Sequence, residues 1–287
     1  MKKTGNLRNR SRGGVWRAAL GRRNGGGAGR PSGDWEDVPG GGVTPLEGAA
    51  SVEPPSGTAL TVIMVGLTVA TGVLDAVSFL ALGQVFTANQ TGNLLFLGFG
   101  IAGQGGRPVL ATAVSIGAFA VGAALGARLE SALAARQHQW FPVALTTEAA
   151  LLVAAAAAAW ESGPSRGLPP GRRCLAIGLM AVAMGMRNVT AIRAAVPDLT
   201  TTVETRAMTA LVSGSPLGRD KRLGYGSRAG GRRLFSVAAL FAGGLLGAGL
   251  LGLGTRPTLV ILLVAAFIAA TAFLVPGLAR RRRTADG

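Results

Sequence analysis

The stretch that decides the fold class is Gly72-Val-Leu-Asp75-Ala-Val-Ser-Phe79, followed by Phe86-Thr-Ala-Asn89-Gln90-Thr91-Gly92-Asn93. Asp75 lies inside an apolar run, residues 59–82, which is long enough to cross a bilayer. A polar turn that contains a glycine follows before the next apolar run begins. Ionisable and amide groups at membrane depth cost free energy and usually serve a function. The pattern therefore predicts a polar site here without saying what the site binds.

The composition indicates an integral membrane protein. Of the 287 residues, 49% are hydrophobic and 15% are charged, and the mean hydropathy is +0.41. The apolar residues form blocks close to the ~20 residues that a membrane span needs. We therefore predict an all-α polytopic transmembrane helix bundle with helices near 59–82, 91–104, 109–128, 141–160, 174–192, 234–254 and 257–278.

The net charge of +16 follows the pattern of membrane orientation rather than that of nucleic-acid binding. Nine of the 29 Lys and Arg residues lie in residues 1–30, and four more are Arg280–Arg283. Most of the others lie in short loops between apolar blocks, where basic residues mark the cytoplasmic side. We expect both termini in the cytoplasm, an even number of crossings, and contacts with the lipid bilayer and its anionic headgroups. Nucleic acid is not an expected partner.

Three regions are predicted along the chain. Residues 1–58 are rich in Gly, Arg and Pro and contain no apolar run, which predicts a disordered cytoplasmic tail. Residues 59–279 form the transmembrane domain, and residues 280–287 form a second basic cytoplasmic tail.

The residues that catalysis and metal binding need are scarce. Cys174 is the only cysteine, which excludes an internal disulfide and a cysteine-based metal cluster, and His138 is the only histidine. The chain has no nucleophile–base pair, no cofactor fingerprint and no phosphate-binding loop of the Gly-x-x-x-x-Gly-Lys type. We therefore expect no enzyme activity, no metal and no cofactor.

Two topologies remain open. With eight crossings, which we prefer, 91–104 and 200–213 both cross as short helices. With six crossings, both segments are re-entrant. The basic residues of the loops hardly separate the two. Eight crossings place Asp75, Glu148 and Arg187 together in the outer half of the membrane, and buried ionisable groups tend to pair.

Two similar motifs in the chain favour an internal duplication. Gly72-x-x-Asp75 corresponds to Gly185-x-x-Asn188, and each is followed by a Thr-rich turn and a second apolar run. The copies, residues 59–160 and 174–278, would share an orientation and form a parallel repeat. Transporters often place their sites between such repeats.

Glycine pairs four residues apart predict close helix packing. Gly122 and Gly126 form one pair, and Gly243 and Gly247 form another. Small residues at this spacing let helix backbones approach closely.

The candidate polar site combines both copies of the motif with one further acid. Arg187 cannot readily neutralise, so we expect it to have an acidic partner, either Glu204 or Asp75. The site residues expected from the sequence are Asp75, Asn89, Gln90, Thr91, Gly92, Asn93, Glu148, Arg187, Asn188 and Glu204.

Both motifs, in this order, resemble the YoaK family of bacterial multi-pass membrane proteins. The second motif comprises Met184-Gly-Met-Arg-Asn188 and Val196-Pro-Asp-Leu-Thr-Thr-Thr-Val203, and the resemblance covers residues 59–279. It implies a polytopic protein of the bacterial cytoplasmic membrane whose activity is not established. Arg187, Glu204 and Arg206 depart from the uncharged pattern expected there, which weakens the second motif as a site.

Two functions are compatible with these residues. The first is a secondary transporter or permease of a small polar solute, proton-coupled through Asp75 or Glu148. The alternative is a non-transporting membrane scaffold or assembly partner whose buried polar motifs are structural. The sequence leaves open the solute, the direction of transport and whether the protein is a homo-oligomer.

Overall fold

The computed structural model describes residues 58–106, 108–136, 139–160, 168–194, 204–213, 215, 219 and 229–283. The side chains of 58, 204–207, 210, 229, 232 and 275–283 lie outside this description. The disorder predicted for residues 1–58 falls almost entirely on residues that are not described.

The described residues form helices and contain no strand, as the hydropathy pattern predicts. In chain order the helices are α1 (Thr58–Val77), α2 (Gln90–Ile101), α3 (Val109–Ala135), α4 (Trp140–Ala158), α5 (Pro170–Arg193), α6 (Glu204–Ser213), α7 (Ala229–Gly252) and α8 (Pro257–Arg283).

Six helical segments in the described part of the chain are long and apolar enough to cross a membrane. They are Ala59–Gly83, Val109–Ala135, Trp140–Ala158, Pro170–Arg193, Arg233–Gly252 and Pro257–Leu274. Helices α2 and α6 have 12 and 10 residues, well short of the ~20 that a span needs. The chain is thus a multi-pass membrane protein with two additional short helices.

The surface of the bundle is apolar, as contact with lipid requires. Leu253, Phe273 and Phe241 are 84%, 77% and 72% exposed, whereas Glu130 and Glu148 are buried. A water-soluble protein rarely exposes so many large apolar side chains. Several polar and charged side chains are buried inside the bundle, among them Asp75, Asn93 and Arg187.

Glycines set the contact between α1 and α7. A Cβ added to Gly72 would lie 2.4 Å from the carbonyl oxygen of Leu240, and one added to Gly243 would lie 2.1 Å from that of Val69. Both separations are far below contact distance, so the backbones meet only because these residues lack a side chain. The packing role predicted for Gly243 is confirmed.

Helices α3 and α5 form an equivalent contact. A Cβ on Gly122 would lie 2.1 Å from the carbonyl oxygen of Val182, and one on Gly185 would lie 2.2 Å from that of Phe119. The glycine of each motif, at 72 or 185, thus lies where its helix crosses another.

The helix directions correct one prediction. Gly83, where the helix begun by α1 ends, lies beside Ile177 near the start of α5, whereas Leu67 accepts a hydrogen bond from Arg187 near the end of α5. Helices α1 and α5 are therefore antiparallel. The predicted parallel repeat needs them to run in the same direction, so that part of the prediction is wrong.

Candidate functional site

The site begins where α1 reverses into α2. Helix α1 continues as a π-helical turn, Ser78–Gly83, which ends at Gln84 in the left-handed region (φ 55°). The backbone N–H of Gln84 donates to the carbonyl of Phe79 at 3.2 Å. This reversal brings residues 86–89 back along the helix to the level of Asp75.

Asp75 binds the returning turn through its carboxylate. Oδ1 accepts hydrogen bonds from the backbone N–H of Thr87 at 2.8 Å, from the Thr87 hydroxyl at 3.1 Å and from the backbone N–H of Ala88 at 2.9 Å. Oδ2 accepts one, from the backbone N–H of Asn89 at 3.2 Å. Four donors and no acceptor fit an ionised carboxylate, which can only accept. The predicted polar residue thus holds the turn that follows it.

Asn93 holds the other side of the turn. Its Oδ1 accepts from the backbone N–H of Phe86 at 2.9 Å, and its Nδ2 donates to the Phe86 carbonyl at 2.6 Å. Ser115 of α3 donates to the same carbonyl at 2.7 Å, and Gln90 Oε1 accepts from Asn93 Nδ2 at 2.9 Å. The asparagine side chain replaces backbone partners that an irregular segment at membrane depth lacks.

A cavity of about 630 Å³ lies against this turn, between α1, the start of α2 and α7. Its polar wall is formed by Asp75, Asn89, Gln90, Thr91 and Gly92, which are five of the predicted site residues. Asn93 is fully buried and is not among the residues that line the cavity.

The opposite walls of the cavity are apolar. Leu240 and Gly244 contribute from α7, and Phe79 and Phe86 contribute aromatic rings. The two rings stack with centroids 4.9 Å apart and an interplanar angle of 16°. A few convergent polar groups facing apolar walls are typical of small-molecule sites.

Arg187 has the acidic partner that the sequence predicts, but the acid is Glu148. Their side chains form an ion pair that is almost fully buried, with Arg187 Nη2 donating to Glu148 Oε1. Naming Asp75 as the partner was wrong, because the Asp75 carboxylate is bonded to its own turn. The Glu204 side chain lies outside the description.

The guanidinium also connects α5 to α1. Nη1 donates to the carbonyl of Leu67 at 2.5 Å and contacts the Thr71 hydroxyl at 3.3 Å. Nε is buried without a partner among the described residues. Since Thr71 also lines the cavity, the ion pair lies directly behind the cavity wall.

The sequence did not suggest a second ion pair. Arg193 Nε donates to Glu130 Oε2 at 3.0 Å, and the Thr190 hydroxyl donates to Glu130 Oε1 at 2.5 Å. The Arg193 guanidinium also lies 5.7 Å from the centre of the Trp140 ring. Helix α3 was expected to end at 128, before Glu130, but continues to Ala135. An acid directly after a long apolar run was the available signal.

The second motif is only partly described. Asn188 is half-buried on α5, next to Arg187. Glu204 is the first residue of α6, and its side chain is not described. The Thr-rich residues 200–202 lie outside the described residues as well, so no second turn can be compared with the first.

Comparison with known proteins assigns the chain to a family. A family model described as "Protein of unknown function (DUF1275)" matches residues 63–274. The match covers most of the chain, so the protein belongs to this family. No curated protein and no solved structure matches the chain.

Proposed function

We propose that this member of the DUF1275 family is a secondary transporter or permease that binds a small polar solute in the cavity beside Asp75. The observation that carries the proposal is that cavity: about 630 Å³, with a polar wall at membrane depth and apolar walls opposite. Irregular backbone at that depth is tolerated where it lines a cavity or is buried in protein.

The short helix at the cavity supports the proposal. Helix α2 begins at Gln90, directly after the turn that Asp75 holds, and has only 12 residues. In transporters, binding sites are often formed where helices are interrupted within the membrane, because backbone groups become available there.

We also propose six crossings, with α2 and α6 re-entrant, in place of the eight that the sequence favoured. Gly72 meets Gly243, and Ala76, one turn later, meets Gly247, so α7 runs parallel to α1. Gly122 meets Val182 and Gly126 meets Met186, so α5 runs parallel to α3. With α1 antiparallel to α5, two opposed sets result: α1, α4 and α7 against α3, α5 and α8. The first residues of α3 then lie on the same side as the end of α1, in agreement with the Gly83–Ala111 contact.

These directions suggest an inverted repeat of residues 59–160 and 174–278. Helix α1, the first helix of one half, crosses α7 of the other half at Gly72. Helix α5, the first helix of the second half, crosses α3 at Gly185 in the same way. The cytoplasmic side is then the side of the basic loop 214–233, which places both termini in the cytoplasm. Inverted repeats commonly place transport sites near the midplane.

We assign proton coupling, if transport is coupled, to Asp75 rather than to Glu148. Asp75 lines the cavity, where a solute or a proton can reach it. Glu148 is held in the ion pair with Arg187 and does not line the cavity. We do not propose an enzyme, because the described residues that line the cavity include a carboxylate but neither a nucleophilic cysteine nor a histidine.

One observation favours the alternative, a membrane scaffold. Asp75, Asn93 and Ser115 are all engaged in bonds within the protein, so the motif also serves to hold helices together. A scaffold needs the turn but not an open cavity.

Flux measurements separate the two functions. The purified protein is reconstituted into proteoliposomes and screened with labelled amines, amino acids and sugars, with and without a pH gradient. The proposal expects flux of at least one solute class above protein-free liposomes, and loss of that flux in Gly244→Leu, which adds a bulky side chain to the cavity wall. Wild-type flux in Gly244→Leu would reject transport through this cavity.

A further inference from the structure

The charge inside the cavity suggests what kind of solute it takes. Asp75 is the only charged side chain among the described residues that line it. The backbone N–H groups on Asp75 stabilise its charge but bring no compensating unit charge. One net negative charge therefore remains at the wall.

Among the described side chains, the cation that contacts the cavity wall does not cancel this charge. Arg187 reaches the back of the wall through Thr71, but it is paired with Glu148. The ion pair is neutral as a unit. The cavity therefore favours a cation over an anion by simple electrostatics.

The carboxylate also retains acceptor capacity. Among the described residues, Oδ1 accepts three hydrogen bonds, whereas Oδ2 accepts one, from Asn89 at 3.2 Å. An ionised carboxylate offers about four acceptor positions over its two oxygens. Oδ2 can therefore accept a further donor.

The rest of the lining fits an organic cation better than a bare metal ion. Phe79 and Phe86 line the cavity and offer aromatic surface for the apolar body of such a cation. A volume of about 630 Å³ is much larger than a single inorganic ion. Leu80, Leu95 and Leu240 provide apolar surface for a hydrocarbon body.

We propose that the cavity binds a small organic cation, an ammonium group on an apolar body, with the ammonium at Asp75 Oδ2 and the body against Phe79, Phe86 and α7. This inference uses the same site as the proposed transport function and names its solute class. Binding and flux are separate measurements, so either can fail without the other.

The test compares three probes of similar shape on the purified full chain. 2-Phenylethylammonium, 2-phenylethanol and phenylacetate are titrated by calorimetry in detergent, with empty micelles as blank. We expect the ammonium to bind at least about tenfold more tightly than the alcohol, since charge-assisted hydrogen bonds are the stronger kind. Phenylacetate should bind more weakly than the alcohol.

Two glycine variants make the test specific to the cavity. A Cβ at Gly244 or at Gly249 meets nothing within 4 Å, and only Gly244 lines the cavity. Gly244→Leu should abolish ammonium binding, and Gly249→Leu should leave it unchanged. Both replace glycine within a helix by a better helix former, so both should fold.

The inference is overturned by equal binding of alcohol and ammonium, by absence of ammonium binding, or by wild-type binding in Gly244→Leu. Ammonium binding without flux would reject transport and keep the cation site. Flux of another solute without ammonium binding would reject the cation site and keep the transport function.

Discussion

Asp75 Oδ1 lies 2.8 Å from the backbone nitrogen of Thr87, twelve residues along the chain. This contact places the carboxylate of α1 under the turn that leads into α2, with neighbouring bonds to Ala88 and Asn89. The same side chain forms part of the cavity wall. Stability and solute binding therefore depend on one residue and have to be separated by experiment.

Asp75→Asn should destabilise the folded protein. The amide would put either a hydrogen donor or a weaker neutral acceptor against the N–H groups that Asp75 now accepts. Loss of hydrogen bonds to a charged group costs about 1.5–3 kcal/mol. Thermal unfolding in detergent should show a lower Tm than wild type.

Thr87→Val is the matched control for Asp75→Asn. It removes only the hydroxyl bond at 3.1 Å and keeps all three backbone donors, from Thr87, Ala88 and Asn89. Its Tm should lie between those of wild type and Asp75→Asn. A wild-type Tm in Asp75→Asn would show that the carboxylate does not hold the turn.

Removing either partner of the Arg187–Glu148 pair should lower the free energy of unfolding. The loss should be larger when Glu148 is removed and the charged arginine stays buried. Arg187 cannot readily lose its charge, whereas Glu148 can bind a proton. Removing one partner of a buried pair costs about 3–5 kcal/mol. Glu148→Gln should therefore lower the unfolding free energy more than Arg187→Met does.

The double variant, Glu148→Gln with Arg187→Met, completes the cycle. It should recover much of the lost stability because no unpaired charge remains buried. Arg193→Met is a useful comparison, since that side chain is 31% exposed and its loss should cost less. Additive effects in the double variant would mean that the two side chains do not interact.

Gly185→Ala should destabilise the contact between α3 and α5. The added Cβ would lie 2.2 Å from the Phe119 carbonyl oxygen, and relief of such overpacking typically costs about 1–3 kcal/mol. Gly249→Ala, where the Cβ meets nothing within 4 Å, should be neutral or stabilising by up to about 1 kcal/mol. Equal Tm values for the two variants would contradict the close packing.

The proposed topology places residue 166 outside the cell. In a Cys174→Ser background, Arg166→Cys should react with a membrane-impermeant maleimide on intact cells. Ser215→Cys, next to the basic loop before α7, should react only after permeabilisation. The reverse pattern for position 166 would restore the eight-crossing arrangement.

Much of the helix content could be predicted from the sequence, because runs of apolar residues near the length of a membrane span are a strong local signal. The close glycine contacts and the polar turn at Asp75 followed from local patterns as well. The directions of the helices could not be predicted from local patterns, because the basic residues of the short loops hardly distinguished six crossings from eight.

The partners of buried charges were harder to predict, since they depend on which helices become neighbours. Glu130 and Arg193 are 63 positions apart, and Arg187 and Glu148 are 39 apart. The cavity was hard to predict for the same reason, because Leu240 and Gly244, which form its α7 wall, are far in sequence from Asp75. No local motif marks those residues.

The most direct test of the central claim is solute flux in proteoliposomes that contain wild type, Gly244→Leu or Gly249→Leu at equal protein content. If the cavity beside Asp75 is the transport site, wild type and Gly249→Leu will exchange labelled 2-phenylethylammonium or another screened solute, and Gly244→Leu will not. Equal flux in wild type and Gly244→Leu, or no flux above protein-free liposomes for any solute class, would contradict the claim.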